Sequence, residues 1–86
     1  MMIFLGTHAG NIMADKTKWV AMSQSILKAE LKRRNIGYRE LAEKLTAMGT
    51  PETDRNIANK ISRGGFTAAF FIQCLVAIGA QSVRLD

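Results

Sequence analysis

From Asp15 onward apolar residues recur at helical spacing, and three glycine-marked breaks cut the pattern into four segments. In the first, Trp19, Val20, Ile26, Leu27 and Leu31 fall near one stripe, with Asp15 or Thr17 as the cap and an end near Arg34. Lys32, Arg33 and Arg34 fill its last turn, where the helix dipole favours cations, so this cluster reads equally as a solvated helix end or as a phosphate contact. Asn35-Ile36-Gly37 breaks the chain. Gly37 is placed to cap a second helix over about 38–47, with Ile36 and Leu41 at the two positions of a hydrophobic staple. Its inward residues are Leu41, Ala42, Leu45 and Met48, its outward ones Arg39, Glu43 and Lys44, and Gly49 closes it.

Thr50-Pro51-Glu52 has the composition of an immediate restart, Thr as N-cap and Pro at the first helical position, and carries a third helix to about Arg63. Gly64-Gly65 ends it. Thr67 caps a fourth helix over 68–78, with Phe66 and Phe71 in staple positions and Gly79 at the exit. The alternation in Gln81-Ser82-Val83-Arg84-Leu85 suits a short extended segment. The expected fold is all-α, a compact bundle of four short helices.

Length and composition narrow the function classes. With 86 residues the chain is one domain, and 48% apolar with 22% charged residues is the balance of a folding globular protein. A core of this size supplies roughly 3 to 5 kcal/mol, so small domains lean on a disulfide, a metal or a second subunit. Cys74 has no partner cysteine, and one His with one Cys makes no four-ligand zinc site, which leaves oligomerisation. Apolar runs fall short of the roughly 20 residues that span a bilayer, and Met1-Met2-Ile3-Phe4-Leu5 is too short and lacks the cationic start of a secretion signal, so a cytoplasmic protein is expected. Residues 1–14 read as a flexible tail, with Met13 as an alternative start, and 15–86 as the domain. Twelve cationic against seven acidic residues give a net charge of +5, concentrated at the end of the first helix and along the second and third, with none on the fourth.

The third helix carries the most information. With Ile57 and Ile61 as its buried seam, a turn of about 100° per residue puts Glu52, Asn56, Asn59 and Arg63 on the far side, bordered by Arg55 and Lys60. Arg matches guanine O6 and N7, Asn matches adenine N6 and N7, and a basic border suits phosphates. A plain solvated helix surface has the same composition. The order of elements adds to the DNA reading: a helix with Ala42 directly after Leu41, a glycine-containing turn, a basic polar helix and a glycine exit is the helix-turn-helix arrangement.

These residues carry a family resemblance. Leu27-Lys28-Ala29-Glu30-Leu31-Lys32-Arg33-Arg34-Asn35-Ile36-Gly37-Tyr38-Arg39-Glu40-Leu41-Ala42-Glu43-Lys44-Leu45 resembles the first two helices of lambda-repressor-like (Cro/CI-type) helix-turn-helix domains. Ile61-Ser62-Arg63-Gly64 is similar to the end of their recognition helix, and residues 70–80 to the helix that follows, so the likeness spans about 20–82. The block Asp54-Arg55-Asn56-Ile57-Ala58-Asn59-Lys60-Ile61-Ser62-Arg63-Gly64-Gly65-Phe66, with Gln73-Cys74-Leu75, resembles a group of small uncharacterised bacterial proteins. One departure stands out: about half a dozen extra residues separate Leu45 from Ile61, so residues 46–53 form a longer turn or lengthen the third helix.

The resemblance implies a sequence-specific double-stranded DNA-binding protein, a small bacterial transcriptional regulator. Asn56, Asn59 and Arg63 are expected at base edges, and Arg55, Lys60, Ser62, Tyr38, Arg39 and Lys44 at phosphates. The fourth helix is apolar nearly all round, and Phe70, Phe71 and Leu75, with Val83 and Leu85, are expected at a homodimer interface. Cys74 and Trp19 read as core. No catalytic constellation, cofactor motif or metal site is expected, and any small-molecule effector is unknown. The rival is an antitoxin-like or adaptor module on the same fold, with a protein partner and no physiological DNA.

Overall fold

The computed structural model describes the backbone of residues 3–85 and the side chains of residues 17–85. Four helices follow one another, α1 (Ile3–Arg33), α2 (Tyr38–Ala47), α3 (Asp54–Arg63) and α4 (Ala68–Ala77), with no strand among the described residues. Residues 81–85 accordingly pair with no strand, although Val83 packs on the core. The tail expected over 1–14, His8 included, falls on side chains outside the described residues; the backbone of α1 is helical from Ile3.

Three helix ends are built alike. After α1, α2 and α4 a residue with positive φ (Asn35 at 57°, Gly49 at 91°, Gly79 at 77°) reverses the chain. The next N–H then reaches back to the helix: Ile36 to Leu31 O at 2.9 Å, Thr50 to Leu45 O at 2.9 Å, Ala80 to Leu75 O at 2.9 Å. These are Schellman closures, which satisfy carbonyls that a helix end leaves without partners. At α1 the position falls to Asn, the residue besides Gly that best tolerates this backbone.

The start of α3 differs from the sequence expectation. Thr50 does not cap it: residues 50–53 form a turn, α3 begins at Asp54, and the Thr50 N–H closes α2. Thr53 is the N-cap, its hydroxyl accepting from the Asn56 N–H at 3.1 Å. The extra residues between Leu45 and Ile61 therefore lengthen the turn and leave α3 at 10 residues.

Leu27 and Leu31 of α1, Leu41, Ala42 and Leu45 of α2, Ile57 and Ile61 of α3, and Phe70, Cys74, Leu75 and Ile78 of α4 make one core. α2 packs chiefly on α3 and then α4, while α1 crosses α4. α1 also holds the end of α3, where the Gln24 side-chain amide donates to Ile61 O at 2.7 Å and Ser62 O at 3.0 Å.

Three apolar expectations need correcting. Trp19 is 59% exposed, because eight residues carry it about 80° round α1 from Leu27, and Lys18 Nζ stands 5.7 Å from its ring centroid. Met48, on the inward side of the wheel, is the C-cap beyond the last buried residue of α2 and is exposed. Phe70 and Leu75 are buried in the core of the single chain, so neither is available to a second subunit. The large apolar residues that α4 leaves exposed are Ile72 and Val76, on the side opposite Cys74.

Candidate functional site

α3 is sharply two-sided. Ile57 and Ile61 are fully buried, whereas Arg55, Asn56, Asn59, Ser62 and Arg63 are all exposed. Stepping round the helix, the outward order is Ser62, Arg55, Asn59, Arg63, Asn56, with Asn59 farthest from the core. Asp54 in the first turn and Lys60 with Arg63 in the last match the helix dipole. This face is anchored through the Ile seam by hydrophobic burial, and at its C-terminal end by Gln24 and the close approach of Gly64 to Val20.

Other expected contacts gather beside it unevenly. Tyr38, half-buried at the start of α2, lines one shallow groove with Asp54, Arg55 and Ala58. Arg39 lines the neighbouring groove with Thr53 and Asp54. The N-terminus of α2 and the first turn of α3 thus share one surface. Lys44 lies on the other flank of α2, lines neither groove, and stands 3.8 Å from Glu40.

The cationic end of α1 divides in two. Arg33 and Arg34 both turn to Glu30, which is 3% exposed; Arg33 lies 2.7 Å from one carboxylate oxygen, and Arg34 pairs with the other. The hydrogen bond from Arg34, then that from Arg33, hold the Glu30 carboxyl below its ordinary value despite burial. These arginines are fastened to the fold. Lys28 and Lys32, one turn apart on another side of α1, line a groove with Ile36, Gly37 and Tyr38. Tyr38 therefore stands between two lysines on one side and Arg55 on the other. No acidic side chain pairs with Lys28, Lys32, Arg39, Arg55 or Arg63 among the described residues. The α1 lysines were not singled out as a pair by the sequence, although their i,i+4 spacing and nearness to the Gly37 break were visible in it.

Lys60 is engaged within the protein. Its ammonium lies 2.6 Å from Glu52 Oε2 and 4.7 Å from the Phe70 ring centroid. Burial works to raise the Glu52 carboxyl, but the hydrogen bond and charge of Lys60, with the Thr53 N–H and the Asn56 side chain, outweigh it and hold the group below its ordinary value. Glu52, placed by the wheel on the outward face, thus belongs to the turn and faces Lys60. Among the described residues no cluster of His, Cys, Asp or Glu is arranged to hold a metal, and no helix is long and apolar enough to cross a membrane.

The chain belongs to the DUF6471 family, a domain of unknown function, which matches residues 19–83. That span takes in the core of the bundle, the whole of α3 and the part of α1 that carries Lys28 and Lys32. No curated protein and no solved structure matches the chain.

Proposed function

We propose that this DUF6471 member is a sequence-specific double-stranded DNA-binding protein, a small transcriptional regulator in which α2 and α3 form a helix-turn-helix of the lambda-repressor-like kind. The observation that carries the reading is the two-sidedness of α3: a seam of fully buried Ile57 and Ile61 behind an exposed face of Arg55, Asn56, Asn59, Ser62 and Arg63. α3 enters the major groove, with Asn56, Asn59 and Arg63 at base edges. Tyr38, Arg39, Arg55 and Ser62 meet phosphates beside it, and Lys28 and Lys32 extend that contact along α1. Lys44, on the far flank of α2, is a peripheral contact at most.

The direct check is duplex binding over a salt series. Affinity should fall linearly on a log–log plot, with a slope of about −0.9 per phosphate neutralised. Asn59→Ala should weaken the preferred site by about 1 to 3 kcal/mol and relax one base position. A protein that shifts no duplex even at about 50 mM salt does not have this function.

A second reading, in which the fold serves a protein partner, draws on one observation: Ile72 and Val76 are 57% and 59% exposed on a helix without a charged residue. In the DNA reading the same side joins two copies and sets two α3 helices roughly 34 to 36 Å apart. Sedimentation separates these. A dimer that Ile72→Glu with Val76→Glu converts to folded monomer supports self-association, and a wild-type monomer at micromolar concentration removes it.

A further inference from the structure

The turn between α2 and α3 is longer than the compact helix-turn-helix pattern, and a longer turn alone would leave the angle of α3 loosely set. Glu52, in that turn, is held from three directions. Its N–H donates to the Thr46 hydroxyl at 3.3 Å, that hydroxyl lies 3.4 Å from the Glu52 carbonyl, and the Thr53 N–H donates to Oε1 at 3.3 Å. Its second carboxylate oxygen takes Lys60. Lys60 belongs to the last turn of α3, and its ammonium sits against the face of Phe70, a buried residue of α4. One chain of contacts therefore runs from α2 through the turn and across α3 to α4.

We propose that Glu52, Lys60 and Phe70 form a positioning clamp for α3, and that Lys60 supports sequence discrimination by holding the Asn56, Asn59 and Arg63 face at a fixed angle without itself touching DNA. The placement of Lys60 argues for this. One residue beyond Asn59, it is turned about 100° round the helix, toward α4 and away from the centre of the outward face. Moving the ammonium to a phosphate would strip a carboxylate whose side chain is only 8% exposed of its counter-ion. It would also give up the contact with the Phe70 ring, so two contacts within the fold would be exchanged for one screened surface contact.

The proposal rests on the DNA reading for its consequence but not for its geometry, and the test has an arm for each. In the free protein, Lys60→Met keeps the aliphatic stem and removes the charge. By NMR the Glu52 carboxyl should then titrate at higher pH, and the Asn56, Asn59 and Arg63 amides should shift, while Lys60→Arg leaves those amides near their wild-type positions. Amides that stay in place in Lys60→Met overturn the clamp, whether or not DNA binds. If Lys60→Met does not fold, Glu52→Gln takes its place for two readouts: the Asn56, Asn59 and Arg63 amides should shift and the ratio of cognate to non-cognate affinity should fall, and amides that stay in place overturn the clamp. On duplex DNA, Lys60→Met should lower the ratio of cognate to non-cognate affinity by about tenfold or more, with the salt slope unchanged. A slope shallower by about 0.9 with the ratio intact makes Lys60 a phosphate ligand and overturns the proposal. If the wild type binds no duplex, the DNA reading falls, and the NMR arm still decides the clamp.

Discussion

Gly64 and Val20 meet so closely that a Cβ on Gly64 would run into Val20 Cγ1, with the Gln24 side chain 3.0 Å away. Gly64 also has φ 71° and ψ −174°, a backbone region essentially reserved for glycine. Gly64→Ala thus meets two penalties, a strained backbone of about 1 to 3 kcal/mol and displacement of α1 from the end of α3. Thermal or urea unfolding should show a loss of at least that size, whereas Gly65→Ala, with open space around it but φ 65°, should show the backbone penalty alone. Equal losses for the two would mean that the α1 contact contributes nothing.

Acid should unfold the protein through its paired carboxylates. Glu30, held down first by Arg34 and then by Arg33, and Glu52, held down by Lys60 against its burial, both have folded-state values below the ordinary 4.5. The unfolded chain then binds more protons in that window, so the stabilisation is complete above about pH 4.5 and drains away as pH falls through the lower folded values. Glu30→Gln should be less stable at neutral pH and lose less on acidification. An acid limb as steep as that of the wild type would rule Glu30 out as its source.

Cys74 should be chemically silent in the native state. Burial, then the Glu52 charge, push its thiol up to about 12, so almost no thiolate exists at neutral pH. A thiol reagent at about pH 8 should label it only on the timescale of unfolding, with the native protein's rate rising in step with added denaturant. Rapid labelling of folded protein would contradict both its burial and its place in the core.

Lys28 and Lys32 should report on the breadth of the interface. Replacing both by Gln should lower the salt slope of duplex binding by about 1.8, two phosphate contacts' worth, with base preference unchanged. An unaltered slope would confine DNA contact to α2 and α3.

The helices were legible in the sequence because Gly49, Gly64, Gly79 and Thr67 punctuate it and the Leu41, Leu45, Ile57 and Ile61 spacing fixes the inward sides. The outward residues of α3 followed from the same periodicity. Other features depended on which neighbour an end of a helix meets. Thr50 and Thr53 are equally good caps by residue type, and it is the run of residues 50–53 as a turn, with α3 starting at Asp54, that puts Thr53 at the cap. Trp19 looked like core because apolar character says nothing about whether another helix lies alongside. Lys60 and Glu52, eight residues apart across a turn, have no helical spacing to announce their pairing. Phe70 and Phe71 are indistinguishable as apolar residues, yet only Phe70 is fully in the core, with Phe66 stacked beside Phe71 at a centroid distance of 6.0 Å.

The central claim is that the exposed face of α3 reads duplex sequence, and selection of the wild-type protein against a random double-stranded library tests it most directly. The account predicts enrichment of a defined motif rich in positions read by Asn and Arg, two-fold symmetric if the protein pairs through α4, with the enrichment lost in Asn59→Ala combined with Arg63→Ala. A library that emerges unenriched from repeated rounds at low salt would contradict the claim.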